Sequence, residues 1–390
     1  MDTKTLTILL CLPTFIACQS NKTLHIKETP VGINLYLDSQ FYSQNLIETE
    51  QAIFQLNDKM RTMVRTKLMD DFSAHKKARI LLEHLFNEEN IGLSYDGNAN
   101  FTAAQTYQRK SANCLSLTIM AYALADAAKM SVVFKEVKVP EYWVRNGRYN
   151  LLTGHVNLLI IDNDSVNNRL HWRHSVTKID FDPFIAKKQF PSKTVQKNTI
   201  MAMFYSNKGA EALVNNDYLR AYKYFKKATT TDNKFSSAWA NLGVLYKISG
   251  YFEMAEFAYS HAINLKKDNL TSLSNLALLL KMQGRQSEAA PIEEHLNKLR
   301  RKNPYYHSLL GDEALFKQSY QQAIQHYKKA IQLDDEQHEF YFGLAKVYYQ
   351  QGKFTLSKKA MKKALGYTKV KKMKDHYTAK LNFINSKSNR

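Results

Sequence analysis

Residues 236–269 read SSAWANLGVLYKISGYFEMAEFAYSHAINLKKDN, and the same 34-residue register recurs without insertion from Ala202, Ser236, Leu270, Pro304 and His338. The eighth position of the five copies holds Gly209, Gly243, Ala277, Gly311 and Ala345, and the twentieth holds Ala221, Ala255, Ala289, Ala323 and Ser357. Small side chains at two fixed places let paired helices approach closely, while Trp239, Tyr246, Tyr259, Tyr327, Tyr341 and Tyr348 fill the space between them. The pattern predicts an all-α solenoid over residues 202–371, each repeat stacked on its neighbours, and a capping helix and tail over residues 372–390. The third copy departs most, with Glu293 where its neighbours carry an aromatic residue.

This pattern is similar to the tetratricopeptide repeat (TPR). The resemblance implies a protein or peptide partner held on the concave face of the solenoid. Aromatic residues at helical spacing inside the repeats read as core rather than as a stacking platform for a ligand.

Before residue 202 the pattern changes to mixed α and β. Phe41 to Leu68 reads as one long helix and Ala74 to Phe86 as a second, and Thr102 caps a short helix through Tyr107. From Cys114 to Lys129 the apolar residues Leu117, Met120, Ala121, Leu124 and Ala128 recur at three- and four-residue intervals, which predicts a buried helix. Ser131 to Val139 alternates as a strand that Pro140 ends. Gly154 to Ile161 and the segment around Lys178 to Pro183 read as two further strands, joined through the polar turn region from Asp162 to Arg169.

A thiol at the start of a helix faces the positive end of the helix dipole, which favours thiolate. Nucleophilic chemistry also requires a base and a group to orient it; His155 and an aspartate on the neighbouring strand supply both. Asp180 and Asp182 project to one face of a strand, so periodicity does not separate them.

The runs YQRKSANCLS (107–116), VKVPEYW (137–143), GHVN (154–157) and IDF (179–181) resemble the transglutaminase-like (papain-fold) superfamily, and more narrowly bacterial proteins that join such a domain to TPR repeats. The likeness spans roughly residues 75 to 190 and implies an α+β domain over residues 41–198. Ala112 departs from the pattern, since relatives commonly carry glycine there. The resemblance implies Cys114 as nucleophile, His155 as base and Asp180, in preference to Asp182, as orienting acid. The Cys114 backbone N–H is the expected oxyanion donor, with Gln105 or Gln108 as candidate second donors. The implied activity is that of an exported thiol-dependent peptidase or amide hydrolase, or of a transglutaminase where an amine resolves the acyl-enzyme. The alternative is a non-catalytic scaffold carrying a relic of the domain. No cofactor or metal is implied; Asp162 and Asp164 read as a solvated turn rather than a calcium loop.

Residues 1–17 combine Lys4 with an apolar run from Leu6 to Ile16, the pattern of a signal peptide. Phe15-Ile16-Ala17-Cys18 resembles a lipoprotein processing site, which implies acylation at Cys18, a lipid-anchored tether over residues 18–40 and, with Gln19 following, the periplasmic face of the bacterial outer membrane. Of the three cysteines, Cys11 would leave with the signal and Cys18 carry lipid, so Cys114 would remain free in an oxidising compartment. The chain carries a net charge of +20, and residues 202–390 hold 31 basic and 16 acidic residues. This excess suits acidic surface partners; no nucleic-acid recognition module accompanies it.

Overall fold

The computed structural model describes residues 32–390 except 71, 88–91, 98, 147–148, 162–175, 181–189, 370 and 389–390, together with residues 24, 26, 27 and 30. The signal segment 1–17, Cys18, the Asp162/Asp164 turn and Asp182 lie outside the described residues.

The long helix expected over Phe41 to Leu68 is broken. It is replaced by α1 (Glu50–Phe54), α2 (Asp58–Met63) and a π-helical turn (Val64–Leu68). Side-chain caps cause the breaks: Thr49 Oγ1 accepts the Ala52 N–H at 3.2 Å, and Asn57 Oδ1 accepts the Met60 N–H at 2.9 Å. Such residues offer the backbone an alternative to continuing the helix. Next comes α3 (Ala74–Phe86), as expected. A parallel bridge joins β1 (Ser94–Tyr95) to β2 (Ser111–Ala112), with α4 (Ala103–Arg109) between them. Thr102 and Gln105 close a capping box at the start of α4, and Lys110 in the left-handed region (φ 55°) ends it.

Helix α5 (Cys114–Ala127) runs through the centre of this domain. It lies against an antiparallel sheet of β3 (Ser131–Asn146), β4 (Tyr149–Ile161), β5 (Val176–Ile179) and β6 (Ser192–Val195), in the order β5-β4-β3-β6. Pro140 does not end β3. It sits where the ladder with β4 is interrupted between Val137 and Tyr142, a place where its missing N–H costs no ladder bond.

The solenoid comprises α6 (Lys197–Val214), α7 (Tyr218–Thr231), α8 (Ser236–Ile248), α9 (Phe252–Leu265), α10 (Leu270–Met282), α11 (Gln286–Arg300), α12 (Pro304–Phe316), α13 (Tyr320–Leu333), α14 (His338–Gln350) and α15 (Phe354–Tyr367). It is closed by α16 (Lys371–Ser388). The expected small positions are the helix contacts: a Cβ on Gly243 would lie 2.7 Å from the Tyr259 ring, and Ala221, Ala255, Ala289, Ala323 and Ser357 are fully buried. Lysines of α15 line its exposed side, Lys359, Lys362 and Lys363 among them.

Two findings alter the expected domain plan. Ile200, Met201, Phe204 and Tyr205 of α6 belong to the same apolar core as α5 and the sheet, so the solenoid and the α+β domain share packing. Residues 33–40, read as the end of a tether, and Phe41, read as the start of the first helix, pack on the first two repeats instead. Phe41 stacks on Tyr222 at 4.7 Å, Tyr246 Oη donates to Leu35 O at 2.6 Å, and Lys226 pairs with Asp38 at 2.7 Å. The apolar Leu35 and Phe41 supply the driving force that a solvated tether lacks.

Candidate active site

Cys114 is the first residue of α5. Asn113 holds it there, its Oδ1 accepting the Ser116 N–H at 2.9 Å and its Nδ2 donating to Asn100 Oδ1 at 2.6 Å. Ser116 ties the same turn to the preceding loop: its Oγ donates to Ala99 O at 3.1 Å and accepts the Phe101 N–H at 2.9 Å. Thr118 Oγ1, one turn on, donates to Val156 O at 3.4 Å and docks the helix on β4.

Strand β4 brings His155 to the thiol. Cys114 Sγ donates to Gly154 O at 3.7 Å, the carbonyl directly before His155. Asp180, directly after β5, completes the line with Oδ1 at 2.8 Å from His155 Nε2. An ionised carboxylate only accepts, so Nε2 carries the proton in that bond and Nδ1 is left for the thiol. The three residues expected to act together lie close to one another in the fold, with Asp180 rather than the undescribed Asp182 on the His155 ring.

Burial opposes a charge on His155, but the hydrogen bond to Asp180 and the interactions with the Asp180 and Cys114 side chains outweigh it and raise its pKa to about 9. For Asp180, burial pushes the pKa up, yet hydrogen bonds from His155, Lys178 and Asn157 hold the carboxyl well below the usual carboxylate range. The ion pair therefore persists across neutral pH. Cys114 keeps 7 % of its surface, so the approach is narrow and small electrophiles are the suitable probes.

Two residues of the site escaped the sequence reading. Asp180 Oδ2, the oxygen not used by His155, accepts Asn157 Nδ2 at 2.9 Å and Lys178 Nζ at 2.9 Å. The signal was present: Asn157 stands two residues after His155, and Lys178 two before Asp180, so each shares a strand face with the residue it supports. Both candidate second oxyanion donors lie on α4. Gln105 Oε1 accepts the Thr102 N–H at 3.1 Å within the capping box, and Gln108 is exposed on the same helix. Among the described residues no group of three or more His, Cys, Asp or Glu side chains could hold a metal ion, and no helix is long and apolar enough to cross a membrane.

Residues 236–269 and 338–370 match the family model described as "Tetratricopeptide repeat", and residues 311–352 match that described as "TPR repeat". A search of curated proteins returns no match. Solved structures similar to the chain include the Cut9–Hcn1 hetero-tetramer of the APC/C, 21 % identical over 47 % of this chain and 36 % of that one, with a TM-score of 0.30. Pseudomonas aeruginosa pilF is 17 % identical over 50 % of this chain and 88 % of its own, with a TM-score of 0.31. A tetratricopeptide repeat protein from Parabacteroides merdae is 19 % identical over 49 % and 75 %, with a TM-score of 0.30. Repeats of this kind bind protein partners. The C-terminal part of the chain is an all-α tetratricopeptide-repeat solenoid.

Proposed function

We propose that the chain is a thiol-dependent peptidase or amide hydrolase of the transglutaminase-like type, with the solenoid binding a protein partner or substrate. The observation that carries this reading is the placement of Cys114, at a helix N-terminus, against Gly154 O directly before His155, whose ring is hydrogen-bonded to Asp180. The Cys114 thiolate attacks the carbonyl carbon of a peptide or carboxamide, and the Cys114 N–H faces the developing oxyanion. The His155 imidazolium gives its proton to the departing amine as the C–N bond breaks, leaving a thioester on Cys114. Water then attacks the thioester while His155 takes a proton from it; the C–S bond breaks, the acid departs and the thiolate–imidazolium pair is restored. Asp180 holds the ring by its Nε2–H throughout. An amine in place of water turns the same steps into transglutamination.

The proposal extends to location: acylation at Cys18 would hold the protein on the periplasmic face of the outer membrane, and a Cys18→Ser chain would leave the membrane fraction. The basic face of α15 would there meet anionic surfaces.

The test of the chemistry is alkylation of the full-length Cys18→Ser chain by iodoacetamide, read on the Cys114 peptide by mass spectrometry. Modification at pH 6 that is fast beside a denatured control, and slow in His155→Ala, is the expected result. Equal rates for native and denatured chains would overturn the enzyme reading and leave a non-catalytic TPR scaffold in its place.

A further inference from the structure

Strand β3 leaves its ladder with β4 at one place. Val137 pairs with His155 and Tyr142 with Thr153, so the four residues Lys138 to Glu141 together face the single residue Gly154. Gly154 offers its carbonyl to the Cys114 thiol and immediately precedes His155. The bulge therefore abuts the reacting pair, and its conformation sets where that part of β4 lies.

The far side of the bulge is gripped by the solenoid. Arg300, the last residue of α11, donates from Nε to Glu141 Oε2 at 2.6 Å and from Nη2 to Glu141 Oε1 at 2.7 Å. Its third nitrogen, Nη1, donates to Ser274 Oγ of α10 at 2.6 Å, which fixes the guanidinium within the solenoid. Asn303 Nδ2 holds the Glu141 carbonyl at 2.9 Å. The next residue, Tyr142, packs edge-on against Tyr305 at 4.9 Å, and the Arg300 guanidinium lies 5.1 Å over the Trp143 ring. Arg300 is buried, and a two-pronged contact on a carboxylate fixes orientation as well as distance.

We infer that Arg300 and Glu141 are positioning residues for Cys114 and His155: the third and fourth repeats clamp the β3 bulge and thereby seat Gly154 and His155 against the thiol. The inference rests on the thiol-hydrolase reading and deepens it. The solenoid then sets the reactivity of the site within its own chain, and a molecule that takes Arg300 away from Glu141 loosens it.

The test measures alkylation of Cys114 by iodoacetamide from pH 5.5 to 9 in the full-length Cys18→Ser chain, with Glu141→Gln, Arg300→Gln and Arg300→Lys. Arg285→Gln is the control: it breaks an equally short pair with Glu256 inside the solenoid, 2.7 Å, in a cluster with Glu288 and Gln283 rather than with the hairpin. Circular dichroism and thermal melting report folding. Glu141→Gln keeps the side-chain shape and carries the test if Arg300→Gln unfolds. The expected result is a loss of about tenfold or more in rate at pH 6 for Glu141→Gln and Arg300→Gln, with profiles moving toward that of His155→Ala. Arg300→Lys, which keeps the charge and part of the contact, falls between, and Arg285→Gln retains the parental profile. Folded Glu141 and Arg300 variants with parental profiles overturn the positioning role, as does an equal shift in the control. An ordinary thiol profile in the parent chain overturns the hydrolase reading itself, and the positioning role with it.

Discussion

His155 Nε2 lies 2.8 Å from Asp180 Oδ1, and both side chains are almost wholly withdrawn from water. A charge pair in such a place survives only with its remaining hydrogen-bonding capacity filled, which Asn157 and Lys178 do for the second carboxylate oxygen. The arrangement fixes the orientation of the imidazole by its Nε2–H and leaves Nδ1 clear of Asp180.

Removing the carboxylate releases the ring. Asp180→Ala is expected to slow Cys114 alkylation at pH 6 by about 10- to 100-fold, and His155→Ala by at least as much. Asp182→Ala is expected to keep the parental rate, and an inverted order would move the orienting role to Asp182.

The pH dependence of stability follows from the raised pKa of His155. The folded chain keeps the His155 proton up to about pH 9, whereas an unfolded chain releases it near 6.5. Its contribution is therefore complete below pH 6.5 and lost as the pH rises through about 9, with an upper bound on the order of 3 kcal/mol. Urea unfolding of parent and His155→Gln at pH 6 and pH 9.5 isolates it: the difference between the two chains should shrink at the higher pH. A difference independent of pH would contradict the raised value.

The two supports of Asp180 are not equal. Asn157 is buried, so Asn157→Leu leaves a carboxylate oxygen short of a donor and should cost about 1–3 kcal/mol of stability. Lys178 is 44 % exposed, and water replaces it in Lys178→Met, which should cost about 0–1 kcal/mol. Denaturant midpoints of the two variants, compared at one pH, check the order.

Close approach in the solenoid can be tested at glycines in different surroundings. Gly243→Ala would drive a methyl into the fully buried Tyr259 ring and should destabilise by about 1–3 kcal/mol. Gly366→Ala, on α15 with open space around it, should stabilise by about 0.5–1 kcal/mol. Thermal melts of the two variants should therefore move in opposite directions.

The solenoid was legible because every contact that defines a repeat lies within it or in the next copy. Helices begin at Ser236, Leu270, Pro304 and His338, as the 34-residue register predicts. Helices Ala74–Phe86 and Cys114–Ala127 were readable for the same reason, since apolar spacing and capping residues are local. The break in the first expected helix was less so: the apolar stripe continues through it, and the competing caps of Thr49 and Asn57 win only when Ile53, Met60 and Met63 find the core.

By itself the sequence determined the repeat period and the helix that carries Cys114. Only the tertiary structure decided that residues 33–41 fold back on the repeats, that Pro140 lies within a bulge rather than at a strand end, and that Glu141 meets Arg300, 159 residues away. Periodicity encodes which face of an element is apolar, whereas a pairing between distant elements depends on how several such faces pack at once, and no local spacing carries that information.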